Sequence, residues 1–178
     1  MPKPKEPSRA LDSNCLTYFI EAGSGLATPA GPAGDQKLAL YRLALYQHWG
    51  YFVTETVKNE VKDIPNIDLA KMHESWLSTL IDEVRVRNPG RVNARTEELA
   101  EHHSDANDCR IVAECEDAGL QVLLSNDDNL IKRLGSRSEI LIIRPLEYWE
   151  SLAILSGARP TTVPHHTNPL AQVSWWKW

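Results

Sequence analysis

Short apolar segments alternate with longer amphipathic segments along this chain, and that alternation constrains the fold more than any other feature. The apolar segments cover residues 9–11, 51–53, 120–124 and 140–143, and a segment of helical periodicity follows each of them. Parallel strands need crossover connections, which are usually helices that cover the faces of the sheet. The alternation therefore predicts an α/β domain with a mainly parallel sheet covered on both faces.

The helical segments are marked by apolar residues at a spacing of three or four. The clearest pattern spans residues 68–84, and others span residues 35–49, 96–103 and 107–118, the last ending at Gly119. The Gly-, Ala- and Pro-rich segment 23–34 fits neither period, so we expect a long mobile loop near the first strand.

The size of the chain predicts one hydrophobic core. With 178 residues, 42% of them hydrophobic, we expect one domain over residues 1–155 and a C-terminal extension over residues 156–178. No apolar run approaches the ~20 residues of a membrane helix, and no apolar stretch follows the basic N-terminus. Three cysteines without paired spacing argue against disulfides and zinc. We therefore expect a soluble, cytoplasmic protein.

Four acidic residues stand at positions where a parallel sheet collects ligands. Asp12 and Asp127 directly follow apolar strands, Asp108 begins a helix, and Glu60 lies inside the helix after the second strand. Hard cations such as Mg²⁺ and Mn²⁺ prefer carboxylate oxygens, and ligands bind beyond the carboxyl ends of parallel strands. Each acid also has a plain structural interpretation as a helix cap, a dipole partner or an exposed side chain.

The segments around these acids resemble the four motifs of PIN-domain nucleases, in the same order. They read Leu-Asp-Ser-Asn at 11–14, Thr-Val-Lys-Asn-Glu-Val at 56–61, Asp-Cys-Arg-Ile-Val-Ala-Glu-Cys at 108–115 and Val-Leu-Leu-Ser-Asn-Asp at 122–127. The resemblance implies a three-layer α/β/α sandwich and a Mg²⁺- or Mn²⁺-dependent endoribonuclease. Many members of that family are toxins of bacterial toxin–antitoxin pairs, so the resemblance also makes an antitoxin protein a candidate partner.

The resemblance further implies roles for particular residues. Asp12, Glu60, Asp108 and Asp127 would be the catalytic metal ligands. Asn14 would orient the Asp12 carboxylate, and Ser125 would hydrogen-bond near the acidic cluster.

Basic residues are concentrated in one segment although the formal net charge is −5. Arg85, Arg87, Arg91 and Arg95 lie around Asn88-Pro89-Gly90, which we interpret as a loop. These arginines either contact the phosphates of RNA or face solvent.

Aromatic and histidine pairs complete the candidate features. We expect Trp175, Trp176 and Trp178 to dock onto this chain or onto a neighbouring subunit of a homodimer, although they could also stack on bases. The adjacent His102 and His103 are expected to face solvent.

Other functional classes fit less well. A phosphotransferase of the haloacid dehalogenase type uses Asp-x-Asp, whereas Asn14 stands two residues after Asp12. A receiver domain needs a lysine at a late strand end, and no convincing one is found. The remaining alternative is a non-catalytic PIN-like module that binds RNA or a protein.

Overall fold

A five-stranded parallel sheet forms the centre of the computed structural model, which describes residues 8–47 and 50–178. The strands are β1 (Arg9–Leu11), β2 (Tyr51–Val53), β3 (Asp82–Glu83), β4 (Val122–Leu124) and β5 (Leu141–Ile143). They are arranged in the order β3-β2-β1-β4-β5, and every pairing is parallel. The predicted α/β class is confirmed.

Helices connect the strands and flank the sheet, consistent with a three-layer α/β/α sandwich. Within the described residues they are α1 (Ser13–Ser24), α2 (Gly34–Tyr46), α3 (Glu55–Lys62), α4 (Ile67–Thr79), α5 (Pro89–Ala100), α6 (Ala106–Ala118), α7 (Asp128–Leu134) and α8 (Pro145–Ser151). Side-chain oxygens cap the first turns of six of these helices, and the caps are Asp12, Thr54, Asn66, Asn88, Asp105 and Asp127. Local sequence therefore specifies where most helices begin.

The core lies between the sheet and its helices. All three residues of β1 and of β4 are buried, as expected for central strands covered on both faces. The ring of Phe19 stacks on Tyr41 and meets Tyr51 and Trp76 edge to face, at centroid distances of 4.7, 5.1 and 5.6 Å. This aromatic cluster fixes α1 against α2, β2 and α4.

Two predicted segments are wrong in their boundaries. The pattern over residues 68–84 contains the end of α4 and then the edge strand β3, because the chain after Leu80 leaves the helix and Val84 N donates to Val53 O. The arginine segment is not a loop throughout, since α5 starts at Pro89 with the Asn88 side chain accepting from Arg91 N. A proline at the first helical position favours such a start.

The C-terminal extension packs on the α/β domain through its tryptophans. Trp176 is buried, Trp175 Nε1 donates to Leu26 O at 3.2 Å, and Trp178 Nε1 donates to Ile154 O at 2.8 Å. The Arg42 guanidinium lies over the Trp178 ring. The expected docking of these aromatic residues onto this chain is confirmed, and Trp175 anchors the segment that was predicted to be a long loop.

Some predictions fall outside the described residues. Residues 1–7 belong to the predicted N-terminal domain, and Trp49 is the predicted end of the second helix. Among residues 8–47 and 50–178, no helix combines the length and the apolar character needed to cross a bilayer.

Candidate active site at the carboxyl edge of the sheet

The register of the two central strands places Asp12 beside Ser125. Leu11 pairs with Leu124, so the next residue of each strand extends past the same edge. The backbone N–H of Asp12 donates to Leu124 O at 3.1 Å and continues the ladder by one bond. The carboxyl ends of β1 and β4 therefore present one acid and one hydroxyl side by side, where parallel sheets collect ligands.

Asp12 is a buried acid, and burial disfavours its charged form. It is 6% exposed, and its Oδ1 accepts from Cys15 N at 2.6 Å as the cap of α1. Burial raises its pKa to about 6, although hydrogen bonds from Ser125 and Cys15 act in the opposite direction. The negative charge of Asp108 raises the pKa further. Asp12 is thus held near a second carboxylate with few charge-neutralising partners.

Asp108 extends from the first turn of α6 toward the same edge. Its Oδ2 is 2.7 Å from Nε2 of His103, which is 8% exposed. Burial raises the pKa of Asp108, and the charges of Asp105 and Asp127 add to that effect while His103 lowers it. Asp108 therefore interacts electrostatically with both Asp12 and Asp127.

Asp127 has a structural role in addition to its place beside Asp108. It caps α7, with Oδ1 accepting from Asn129 N at 2.6 Å and from Leu130 N at 2.9 Å. Its own N–H donates to Ser125 Oγ at 3.0 Å. Ser125 therefore contacts both Asp12 and the backbone of Asp127, which agrees with its predicted place near the acids.

Glu60 accepts hydrogen bonds from side chains that stand next to two of the other acids in the sequence. Its Oε2 accepts from the Ser13 hydroxyl, and its Oε1 accepts from Asn107 Nδ2 at 2.8 Å. Ser13 and Asn107 are the direct neighbours of Asp12 and Asp108 in the sequence. The Glu60 carboxylate thus bridges the first turns of α1 and α6.

Among the described residues, no hydrogen bond joins Asn14 to Asp12, the residue that the resemblance implied it would orient. The Oδ1 of Asn14 accepts from Asn126 Nδ2 at 3.4 Å, whereas Asp12 is hydrogen-bonded by Cys15 and Ser125. Asn126 also donates to Cys15 Sγ, and its Oδ1 is buried with no hydrogen-bond partner among the described residues. An unpartnered buried oxygen at this edge is a further potential ligand for a hard cation.

The four arginines predicted to bind RNA lie away from these acids. Arg85 and Arg87 line a cavity with Ser8, which precedes β1, so that cavity is at the amino edge of the sheet. Arg91 pairs with Glu139, the residue shortly before β5, at 3.4 Å. Arg95 pairs with Glu98 and Glu116.

Structural contacts therefore occupy most of this arginine set. Arg87 also donates to Ala118 O at 3.0 Å, and Arg95 donates to Arg137 O at 2.6 Å. Guanidinium groups held in this way stabilise the packing of α5 on α6. They do not face the carboxyl edge where Asp12 and Asp108 meet.

The chemistry of the donor set suits a hard divalent cation. The side chains gathered at this edge offer carboxylate, amide and hydroxyl oxygens, the ligands that Mg²⁺ and Mn²⁺ prefer. In the described ranges, no three or more His, Cys, Asp or Glu side chains are grouped tightly enough to hold a metal ion. Asp12 and Asp127 each also use an oxygen to cap a helix.

Sequence reasoning missed three polar residues of this edge. His103 was expected to face solvent, which is wrong because the turn after α5 folds it back onto Asp108. Asn107 and Asn126 stand next to predicted acids in the sequence, and that adjacency was the available signal. No family model matches the chain, and no curated protein is significantly similar to it.

Proposed function

We propose that this protein is a metal-dependent endoribonuclease with a PIN-like active site at the carboxyl edge of β1 and β4. The observation that carries the proposal is the electrostatic linkage of Asp12, Asp108 and Asp127, with the pKa of Asp12 raised to about 6. Perturbed acids gathered at such an edge are typical of functional sites. The resemblance of the four sequence motifs supports the same conclusion.

The side chains at the carboxyl edge would either hold the cation or orient the acids that hold it. Asp12, Asp108 and Asp127 would hold the cation together with Glu60, and the bound ion would acidify a water and stabilise charge on the scissile phosphate. His103 fixes one oxygen of Asp108 and leaves the other for ligation. Asn107 and Ser13 fix the Glu60 carboxylate. Ser125 holds Asp12.

Cleavage of a labelled single-stranded RNA tests the proposal. We expect fragments with Mn²⁺ or Mg²⁺, none after chelation with EDTA, and a loss of at least about 100-fold in the Asp12→Asn variant, since removing an electrostatic contributor commonly costs that much. The matched control is Asp68→Asn, which removes the same charge from an exposed first turn of α4. Equal cleavage by both variants would refute the role of Asp12.

Metal binding gives a readout that does not depend on turnover. An ion that binds only the folded protein raises its stability by about 2.7 kcal/mol at a hundred times its Kd. We expect Mn²⁺ to raise the Tm of the wild type and of Asp68→Asn, measured by scanning calorimetry. Asp12→Asn should show a much smaller shift, and an equal shift in all three proteins would place the ion elsewhere.

A non-catalytic module that binds RNA or a protein is the second candidate. It is favoured by the cap bonds that occupy Asp12 and Asp127 and by the lack of a compact three-acid group in the described part of the chain. Such a module would retain a labelled RNA or a protein partner without producing fragments at any metal concentration. Metal-dependent fragments that disappear with Asp12→Asn would exclude it.

A further inference from the structure

A cavity of about 480 Å³ adjoins the carboxyl-edge acids on the side of α7. Its wall includes His102, His103 and Ser104 from the turn after α5, and Asn129 and Arg133 from α7. Two of these residues also contact the acids, because His103 binds Asp108 and the backbone N–H of Asn129 binds Asp127. Two lining residues of the cavity thus touch Asp108 and Asp127, which are acids of the proposed active site. The volume of the cavity is typical of ligand pockets.

Arg133 is the side chain on the wall of this cavity that can bind an anion. On α7, Asp128 is neutralised by an ion pair with Arg144. The Arg133 guanidinium has no ion-pair partner among residues 8–47 and 50–178 and lines the cavity. Neighbouring amide, hydroxyl and imidazole groups add hydrogen-bond donors, whereas Glu101 is the acid on the same wall. A free arginine with polar donors suits a phosphate group, which guanidinium binds with two parallel hydrogen bonds.

We propose that this cavity, here called the Arg133 pocket, binds the phosphate of a nucleotide next to the cleaved bond in a single-stranded RNA. The inference rests on the proposed function, because the acids would engage the scissile phosphate and the pocket would hold its neighbour. The carboxylates of this edge repel RNA, which is a polyanion. The positive charge of Arg133 beside them lowers the free-energy cost of placing RNA there. The pocket would thereby bind RNA beside the carboxyl edge, away from the arginines of α5.

Binding measured without turnover separates this inference from the nuclease proposal. The probe is a fluorescein-labelled single-stranded RNA of about eight nucleotides, comparable to the site size of small single-strand binding domains. Its anisotropy is measured in EDTA between about 50 and 200 mM salt. We expect Arg133→Gln to weaken binding about 3- to 10-fold at the lower salt and to reduce the slope of log K against log salt by about 0.7.

The neighbouring Lys132 provides a matched control on the same helix. It is exposed like Arg133 but does not line the pocket, so Lys132→Gln should leave the salt slope nearly unchanged. Arg133→Lys should recover part of the affinity because it keeps the charge but loses the planar fork. Equal losses for Arg133→Gln and Lys132→Gln would indicate a diffuse field and overturn the pocket. No loss for either would also overturn it.

A second pair of variants tests the opposite sign of charge. Glu101→Gln removes the acid from the pocket wall and should strengthen binding of the same RNA about twofold, since like charge is lost near a phosphate. Glu97→Gln removes an exposed acid of α5 outside the pocket and should have a smaller effect. Equal effects of the two would count against the pocket.

The two proposals can fail separately. RNA binding that depends on Arg133 without any metal-dependent cleavage would retain the pocket and reject the nuclease. Cleavage lost in Asp12→Asn, with binding indifferent to Arg133, would retain the nuclease and reject the pocket.

Discussion

Helix α6 carries two groups of acids that the fold treats in opposite ways. Near its start, Asp108 faces Asp12 and Asp127 across the carboxyl edge, and burial together with like charge raises its pKa. In its second half, Glu114, Glu116 and Asp117 are buried and every one of them accepts hydrogen bonds from another element. The acids of α6 thus separate into one that interacts with other carboxylates and three that accept hydrogen bonds from neighbouring segments.

The partners of the second group show what these acids do. Glu114 accepts from the N–H and hydroxyl of Thr56 at the start of α3, at 3.3 and 3.0 Å. Glu116 accepts from Arg95 at 2.8 Å and from Glu139 N at 2.8 Å, which joins α5 and the segment before β5. Burying a carboxylate is favourable only when donors replace its water. These acids therefore fix neighbouring elements to α6.

The acids at the carboxyl edge are partnered differently. Asp12, at the start of α1, and Asp108 interact with other carboxylates, and within the described residues neither forms an ion pair with a lysine or arginine. Their charged forms therefore cost stability in the absence of a cation. Proteins retain such costs mainly at functional sites. The sign of the neighbouring charge, rather than burial itself, thus separates the two kinds of acid: Glu114 and Glu116 pair with arginines, whereas Asp12 and Asp108 interact with other carboxylates.

The largest expected effect tests the structural group. Glu116→Gln should lower the free energy of unfolding by about 3 kcal/mol, because it breaks a buried ion pair and leaves Arg95 without its main partner. The control is Glu98→Gln, since Glu98 pairs with the same arginine from an exposed position. It should cost less than about 1 kcal/mol. Urea denaturation measures both, and equal costs would erase the distinction between buried and exposed partners.

The next expected effect is a gain in the free energy of unfolding, and it concerns Asp12. Its pKa is 3.8 as an ordinary carboxyl and about 6 in the folded protein, so the folded state favours the neutral form. Wild-type stability should therefore fall as pH rises from about 4 through 6, with a total cost of roughly 3 kcal/mol above that range. Without metal, Asp12→Asn should remove this loss and stabilise the protein by roughly 2 kcal/mol at pH 7, after the lost interaction with the helix dipole is subtracted.

Asp127→Asn is the control for that experiment. Asp127 is an exposed cap, and asparagine caps helices about as well as aspartate, so the stability of the Asp127→Asn protein at pH 7 should differ from that of the wild type by less than about 0.5 kcal/mol. Chemical denaturation between pH 3 and pH 8, in EDTA, checks both variants. A destabilised Asp12→Asn at pH 7 would mean that Asp12 is an ordinary structural cap.

A smaller effect connects the two groups. Glu114→Gln should cost about 1 to 2 kcal/mol, since the amide keeps one acceptor for Thr56 but weakens the bond from Arg110. Because Glu114 fixes the start of α3, which carries Glu60, we expect reduced RNA cleavage at saturating metal as well. Loss of stability with unchanged cleavage would show that α3 needs no such anchor.

The smallest stability effect is expected at Asn107. Asn107→Ala removes the amide that holds Glu60 and, at an exposed position, should change the free energy of unfolding by less than about 0.5 kcal/mol. The control is Asn93→Ala. It removes an exposed amide of α5 whose oxygen accepts from Arg110. We expect Asn107→Ala alone to reduce metal-dependent cleavage; parallel losses in both variants would argue against a specific role.

Much of the fold could be predicted because its signals are local. Apolar strands followed by Asp12 and Asp127 predicted the parallel sheet and its carboxyl edge, and Gly119 ends α6 in the left-handed conformation at φ 75° that glycine tolerates. The edge strand β3 was missed because its two exposed residues, Asp82 and Glu83, carry no apolar pattern. This segment is a strand because its backbone pairs with β2.

Local signals specify the alternation of strands and helices, the start of most helices and the acids that follow β1 and β4, because backbone propensity, capping and periodicity act over a few residues. Which acids meet which donors depends on tertiary packing. Packing folds His103 onto Asp108, pairs Glu116 with Arg95 and places Arg85 and Arg87, which precede α5, at the amino edge. The physical reason is that the electrostatic environment of a side chain depends on groups distant in sequence, which packing alone brings within a few ångströms.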